Sequence, residues 1–122
     1  NPSTVNATAS GKEVLRRAYV DGATESGADI LTAPTDHICT IISIIFFERA
    51  SISDAMFKLY LQPDGGAAVY LAIDQVVPAY GTFTWNDKFV MTGGDVLTIG
   101  PVSAGGASTF DVWCSYIDAD FS

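Results

Sequence analysis

The chain holds a single histidine, His37, which follows Pro34-Thr35-Asp36. A histidine beside a carboxylate is the smallest unit of general acid–base chemistry. Its place at the mouth of an apolar run reads instead as a surface residue at the start of a strand. With one histidine and no reactive-cysteine context, Ser/His/Asp and Cys/His nucleophile systems have little to work with. Glycoside hydrolysis needs two carboxylates facing each other across a cleft. Asp74, Asp87, Asp95 and Asp111 are the candidates, and most fall in predicted turns, where Asp is common because its side chain bonds the local backbone. Asp118-Ala119-Asp120 has the spacing of half a calcium loop but lacks the Gly and the distal Glu, and reads as a solvated tail. Pro63-Asp64-Gly65-Gly66 is too short for a phosphate-binding loop and no Lys follows it. The residues therefore point to no enzyme: no catalytic residue, no metal and no cofactor.

Two cysteines, Cys39 and Cys114, each lie within a predicted strand. Alternation groups Cys39 with Ile41 and Ile45, and Cys114 with Phe110, Val112 and Tyr116. Two readings stand side by side. They are two small buried hydrophobes, or they form an inter-strand disulfide, which would imply an oxidising compartment. Without His or Cys neighbours they are not a zinc site. Among the aromatics, Tyr70, Tyr80, Phe83, Trp85 and Trp113 are spaced as strand residues, which usually means core. Trp85 and Tyr80 near turns, together with Tyr70, are the candidate contacts for a stacked sugar.

The elements that must position these residues are strands. The run Ile38-Cys39-Thr40-Ile41-Ile42-Ser43-Ile44-Ile45-Phe46-Phe47 is apolar at both alternating sets of positions. Period two places 38, 40, 42, 44 and 46 on one face and 39, 41, 43, 45 and 47 on the other. A half-buried strand would be polar on one of them. This strand is expected to be covered on both sides, between two layers or against another copy of the protein. That strand runs from His37 to Glu48, and further strands are predicted at Val14–Val20, Ile30–Thr32, Ala55–Leu61, Ala67–Ile73, Thr82–Trp85, Lys88–Met91, Val96–Gly100 and Thr109–Ile117. Pro63-Asp64-Gly65-Gly66 is the strongest turn signal and makes 55–73 a hairpin. Loops are read at Arg49–Asp54 and Ser103–Ser108, and Pro101 should end its strand. A helix over Ser51–Tyr60, capped by Ser51, is the one helical alternative. Phe57, Leu59 and Leu61 keep period two better than period 3.6.

About eight strands with a turn every 8–12 residues predict an all-β fold: one antiparallel β-sandwich, jelly-roll-like or immunoglobulin-like. Residues 1–12 are mostly small and polar and read as a flexible N-terminal arm on a sandwich domain at 13–122. Asn6-Ala7-Thr8 fits the glycosylation pattern, which matters only in a secreted eukaryotic protein. A start at Asn1 rather than Met is read as cleavage of a precursor or a late start.

At 122 residues the chain can bury a core of its own without metal or disulfide. It is 48% apolar and only 16% charged, which leaves surface of the kind found in interfaces. Its net charge of −8 argues against nucleic acid and against an anionic membrane. No stretch reaches the length of a membrane-spanning helix.

One resemblance rests on the order of several segments. Ile30-Leu31-Thr32-Ala33-Pro34, the strand through Ser43-Ile44, Phe57-Lys58-Leu59-Tyr60-Leu61, Val77-Pro78-Ala79-Tyr80-Gly81-Thr82-Phe83, Met91-Thr92-Gly93-Gly94-Asp95-Val96-Leu97 and Phe110–Ile117 together resemble small β-sandwich virion proteins of tailed bacteriophages. The match covers residues 28–118. It implies a capsid decoration (cement) protein or a head-tail accessory, with no catalytic residues. It further implies a homotrimer on the outer surface of the capsid, assembled in the host cytoplasm, with itself and the major capsid protein or other virion proteins as partners. The apolar Ile44–Phe47 stretch departs from that pattern. The alternative from a different class is a carbohydrate-binding sandwich of a tail fibre or surface adhesin. An enzyme, the third reading, would need a cleft with paired, perturbed carboxylates.

Overall fold

The computed structural model describes residues 12–50, 55–102 and 108–122. Among these are nine strands and no helix: β1 (Lys12–Ala23), β2 (Ala28–Thr32), β3 (His37–Glu48), β4 (Ala55–Gln62), β5 (Val69–Val77), β6 (Thr82–Trp85), β7 (Phe89–Thr92), β8 (Val96–Val102) and β9 (Phe110–Asp120). Most of the proposed arm, the 51–54 loop that would cap a helix, and 103–107 lie outside the described residues. From Ala55 onward the helical alternative gives way to strand β4, as period two requires.

The strands form two antiparallel sheets, β1-β9-β3-β6 with β7 also on β3, and β2-β8-β4-β5. The pairing is nested. β1 pairs with β9, β2 with β8, β3 with β6 and β7, and β4 with β5. That is one long hairpin whose tip is Pro63-Asp64-Gly65-Gly66, rolled so that successive pairs fall in alternate sheets. This is the jelly roll, which decides between the two sandwich types. The tip is a tight turn in which the Gly66 N–H donates to the Pro63 carbonyl at 2.9 Å and Gly65 takes φ 72°. A second turn docks on it. Asp95 accepts from the Thr92 and Asp64 amides, both at 2.9 Å, and these bonds hold its carboxyl below the usual range.

The core sits between the sheets. Phe57 of β4 stacks on Phe46 of β3 at 4.4 Å and meets Phe83 and Phe110 edge-on, so one side chain joins both layers. All but Phe83 are fully buried. Removing a ring of this kind costs about 3–5 kcal/mol.

β3 has the bounds that its sequence predicts, but its faces differ. Cys39 and Ile41 point inward, and so do Ile44, Phe46 and Glu48. The register on β9 passes from Ile41↔Tyr116 directly to Ser43↔Ser115. Ile42 is the extra residue of a β-bulge, which switches the inward set from odd to even positions. Within one chain the strand is therefore covered on its inner side only. Ile45, which strict alternation groups with Cys39, faces outward and is 42% exposed. The neighbouring edge is broken at the same level. β6 pairs Ile44–Phe47 and β7 pairs Ile38–Ile41, and the Trp85 indole N–H donates to the Asp87 carbonyl at 2.8 Å across the break.

Several strand ends also differ, β1 running on to Ala23 and β5 to Val77. β8 continues through Pro101, which pairs with Phe57. β2 pairs only as far as Ile99, so Pro101 lies where β8 has a neighbour on one side, and a missing N–H loses no ladder bond there. β9 runs to Asp120, so Asp118-Ala119-Asp120 is strand and not a solvated tail.

Candidate interaction surface

The inner faces of the sheets are filled, so the surface chemistry lies on the outer face of the β1-β9-β3 sheet. The registers place Tyr19, Trp113, Ile45 and Thr84 in one row across four strands. Adjacent residues in such a row share a face. Tyr19 and Trp113 stack at 5.7 Å with their planes 19° apart, yet remain 58% and 45% exposed. Arg17, two residues along β1 on the same face, sets its guanidinium 5.5 Å from the Tyr19 ring and 5.2 Å from the Trp113 ring. That is a cation held over two aromatic faces.

On the other side of the row the charge reverses. Arg49 pairs with Asp111 at 2.8 Å and with Asp21, and Asp111 also accepts the Gly22 amide at 2.8 Å. Phe47 lies beside Asp111's strand and stacks on Tyr80 at 6.5 Å. Tyr19, Ile45, Phe47 and Trp113 line a shallow depression of about 290 Å³ with Asp21 and Asp111 at its rim.

A second polar group joins β1, β3 and β9 on their inner side. Asp118 is only 7% exposed. Arg16 Nε donates to one of its oxygens at 3.0 Å and His37 Nδ1 to the other at 2.7 Å, while His37 Nε2 lies 3.5 Å from Asp120. The Asp118 hydrogen bond raises the His37 pKa above its ordinary value. His37 is thus a half-buried partner of Asp118 rather than a surface residue beside Asp36. With each Asp118 oxygen taken by a donor, the group acts as a clasp.

The cysteines share the inner face of adjacent strands but stand opposite different partners, Cys39 opposite Asp118 and Cys114 opposite Ile44. They are four residues apart along β9, roughly 13 Å at ~3.3 Å per residue. A disulfide needs Cα atoms within about 7 Å, so that reading is overturned and both are buried thiols. Burial pushes the Cys39 thiol up to about 11 and the Cys114 thiol up to about 12.

The three candidate sugar contacts occupy separate places. Trp85 is in the row of Cys114 and Ile44, packs on the core and meets Phe89 edge-on. Tyr80, at φ 56°, is 62% exposed on Phe47. Tyr70 is at the start of β5 against Tyr60. Val77, three residues before Tyr80, is seven positions along β5 from Tyr70, roughly 23 Å. Of the carboxylates, Asp74 is on β5, Asp87 between β6 and β7, Asp95 between β7 and β8, and Asp111 on β9. The Tyr19–Trp113 stack was not singled out from sequence. Its signal was Arg17 and Tyr19, large side chains two positions apart with the small Ala18 between.

No protein-family model matches the chain, and no curated protein does. Solved structures do match. The T=1 particles derived from infectious bursal virus align with a TM-score of 0.60 at 10% identity, over 92% of this chain and 32% of that one. A mutant VP2 protein of infectious bursal disease virus, also in derived T=1 particles, gives 0.57 at 10% identity over the same shares. The VP2 subviral particle of that virus gives 0.55 at 11%, over 92% and 33%. At 10–11% identity the likeness is one of fold. The chain spans about a third of the length of the capsid chains it matches.

Proposed function

We propose that this chain is a non-enzymatic structural protein of a virion. The observation that carries the reading is the nested jelly-roll fold, which aligns at a TM-score of 0.60 with a chain of the virus-derived T=1 particles. The exposed aromatic face adds support, because a monomer rarely leaves stacked rings in water unless the surface is used. The finer reading is a capsid decoration (cement) protein of the tailed-phage type. As a homotrimer on the outside of the shell it would bridge neighbouring major capsid subunits, with residues 1–12 as an arm reaching across a seam and no part for nucleic acid or membrane. Repetition over many copies makes even a modest interface stabilising. The test is co-sedimentation of the purified protein with expanded phage shells that lack their decoration. Saturable binding that raises the temperature of shell rupture is expected; no binding, and no change in rupture, sinks the decoration reading.

A second reading, a carbohydrate-binding module of a tail fibre or adhesin, is favoured by one observation, the open face of Tyr80. A glycan array compared between the wild type and Tyr80→Ala, Tyr70→Ala and Trp85→Ala tests it.

A further inference from the structure

We infer that the outer face of the β1-β9-β3 sheet is a two-fold contact between copies of this chain, with the Tyr19–Trp113–Ile45 row along the axis. The inference rests on the self-assembling role proposed above and names the surface that serves it.

Three observations carry it. The row is apolar and exposed, with Tyr19, Trp113 and Ile45 all more than two-fifths accessible. Aromatic anchors of this type dominate interface energies when a partner excludes water from them. The charges beside the row are opposite and placed on opposite sides. Arg17 carries one positive charge one step along the strands in one direction. Asp21, Asp111 and Arg49 together carry one negative charge one step in the other. A two-fold axis lying along the row reverses strand direction and turns the faces toward each other. Each copy's Arg17 then comes over the other's acidic trio, twice, while the ring stacks meet at the centre. An isologous contact requires a surface complementary to itself, and this arrangement of one cation, an apolar row and one net anion has that property. A partner of single-signed charge would leave one side of the row facing a like charge.

The contact closes a dimer when it acts alone and joins two trimers into a hexamer when it acts with a three-fold one. In either case its loss halves the mass. The experiment is light scattering on the full chain across a concentration series, for the wild type, Trp113→Ala, Arg17→Glu and Asp21→Lys, with near-ultraviolet circular dichroism to confirm each fold. Asp21 is an exposed rim residue, so its substitution spares the core. The expected result is an even-numbered wild type, a halved mass for each variant, and at least a roughly tenfold rise in the dissociation constant. Mixing Arg17→Glu with Asp21→Lys should restore the full mass, because each then presents the charge the other lacks. An odd-numbered wild type, or a mass that the folded variants leave unchanged, overturns the contact without touching the shell-binding result. A mixture that stays dissociated overturns it too, as does a glycan or a shell subunit found seated on the Tyr19–Trp113 stack of a monomeric protein.

Discussion

At Asp118 two basic side chains from different strands converge on one carboxylate, and His37 is one of them. Its pKa in the fold lies above the 6.5 of an unfolded chain because protonation strengthens its bond to Asp118. The stability it contributes is therefore complete below about pH 6.5 and is lost as pH rises through the folded value. The melting-temperature gap between the wild type and His37→Gln should be widest at about pH 5.5 and narrow toward about pH 8. A gap that stays constant over that range would count against the clasp. At Cys39 and Cys114 burial has the opposite consequence for reactivity. A thiol held up to about 11 or 12 presents almost no thiolate at neutral pH. Neither should react with a disulfide reagent in the native protein over hours, and both should react at once in denaturant; rapid native labelling would contradict the packing. Sequence placed the two cysteines correctly in strands. It could not exclude their pairing, because the offset between Cys114 and Asp118, the residue opposite Cys39, is set by how two distant strands align.

Among the elements, β3 and β6 keep the bounds that their sequences predict, since polar or turn residues flank them on both sides. The faces of β3 were not legible beyond Ile41. A bulge leaves no mark in composition when Ile42, Ile44 and Ile45 are all apolar, and only the partner strand shows that Ser43 follows Ile41 in register. The bulge makes a contrast available. Deleting Ile42 restores strict alternation with the same inward set, so the variant should fold with its core signals unchanged. Deleting Ile45 turns Phe46 outward and should leave the chain unfolded. Nuclear magnetic resonance spectra of the two deletions check this, and similar spectra from both would refute the assignment of the extra residue. The exposed stack on β1 and β9 was illegible for a related reason: period two says that Tyr19 and Arg17 share a face, not which face is covered.

For the whole molecule, two sheets and an antiparallel sandwich follow from strand count and turn spacing. The order of strands does not, because it is decided by pairings that link distant parts of the chain. Arg16 and Asp118, in contact across β1 and β9, are 102 residues apart in sequence. Loop-closure entropy must be met before such contacts form, which slows folding. Refolding followed by Trp85 and Trp113 fluorescence should take on the order of milliseconds to seconds, with microsecond refolding as the result that would contradict a nested hairpin.

Lys12 stands opposite Asp120, so the two ends of the described fold lie one strand spacing apart, about 5 Å. A short linker there, with a new opening at Gly65, would give a circular permutant with every pairing retained. Its hierarchy of separations would be inverted. β9 and β1 would become the local hairpin, and β4 and β5, now at the extremities, the most distant pair. The sandwich thus has the topology of a ring, in which the place of the cut decides which strands find each other first.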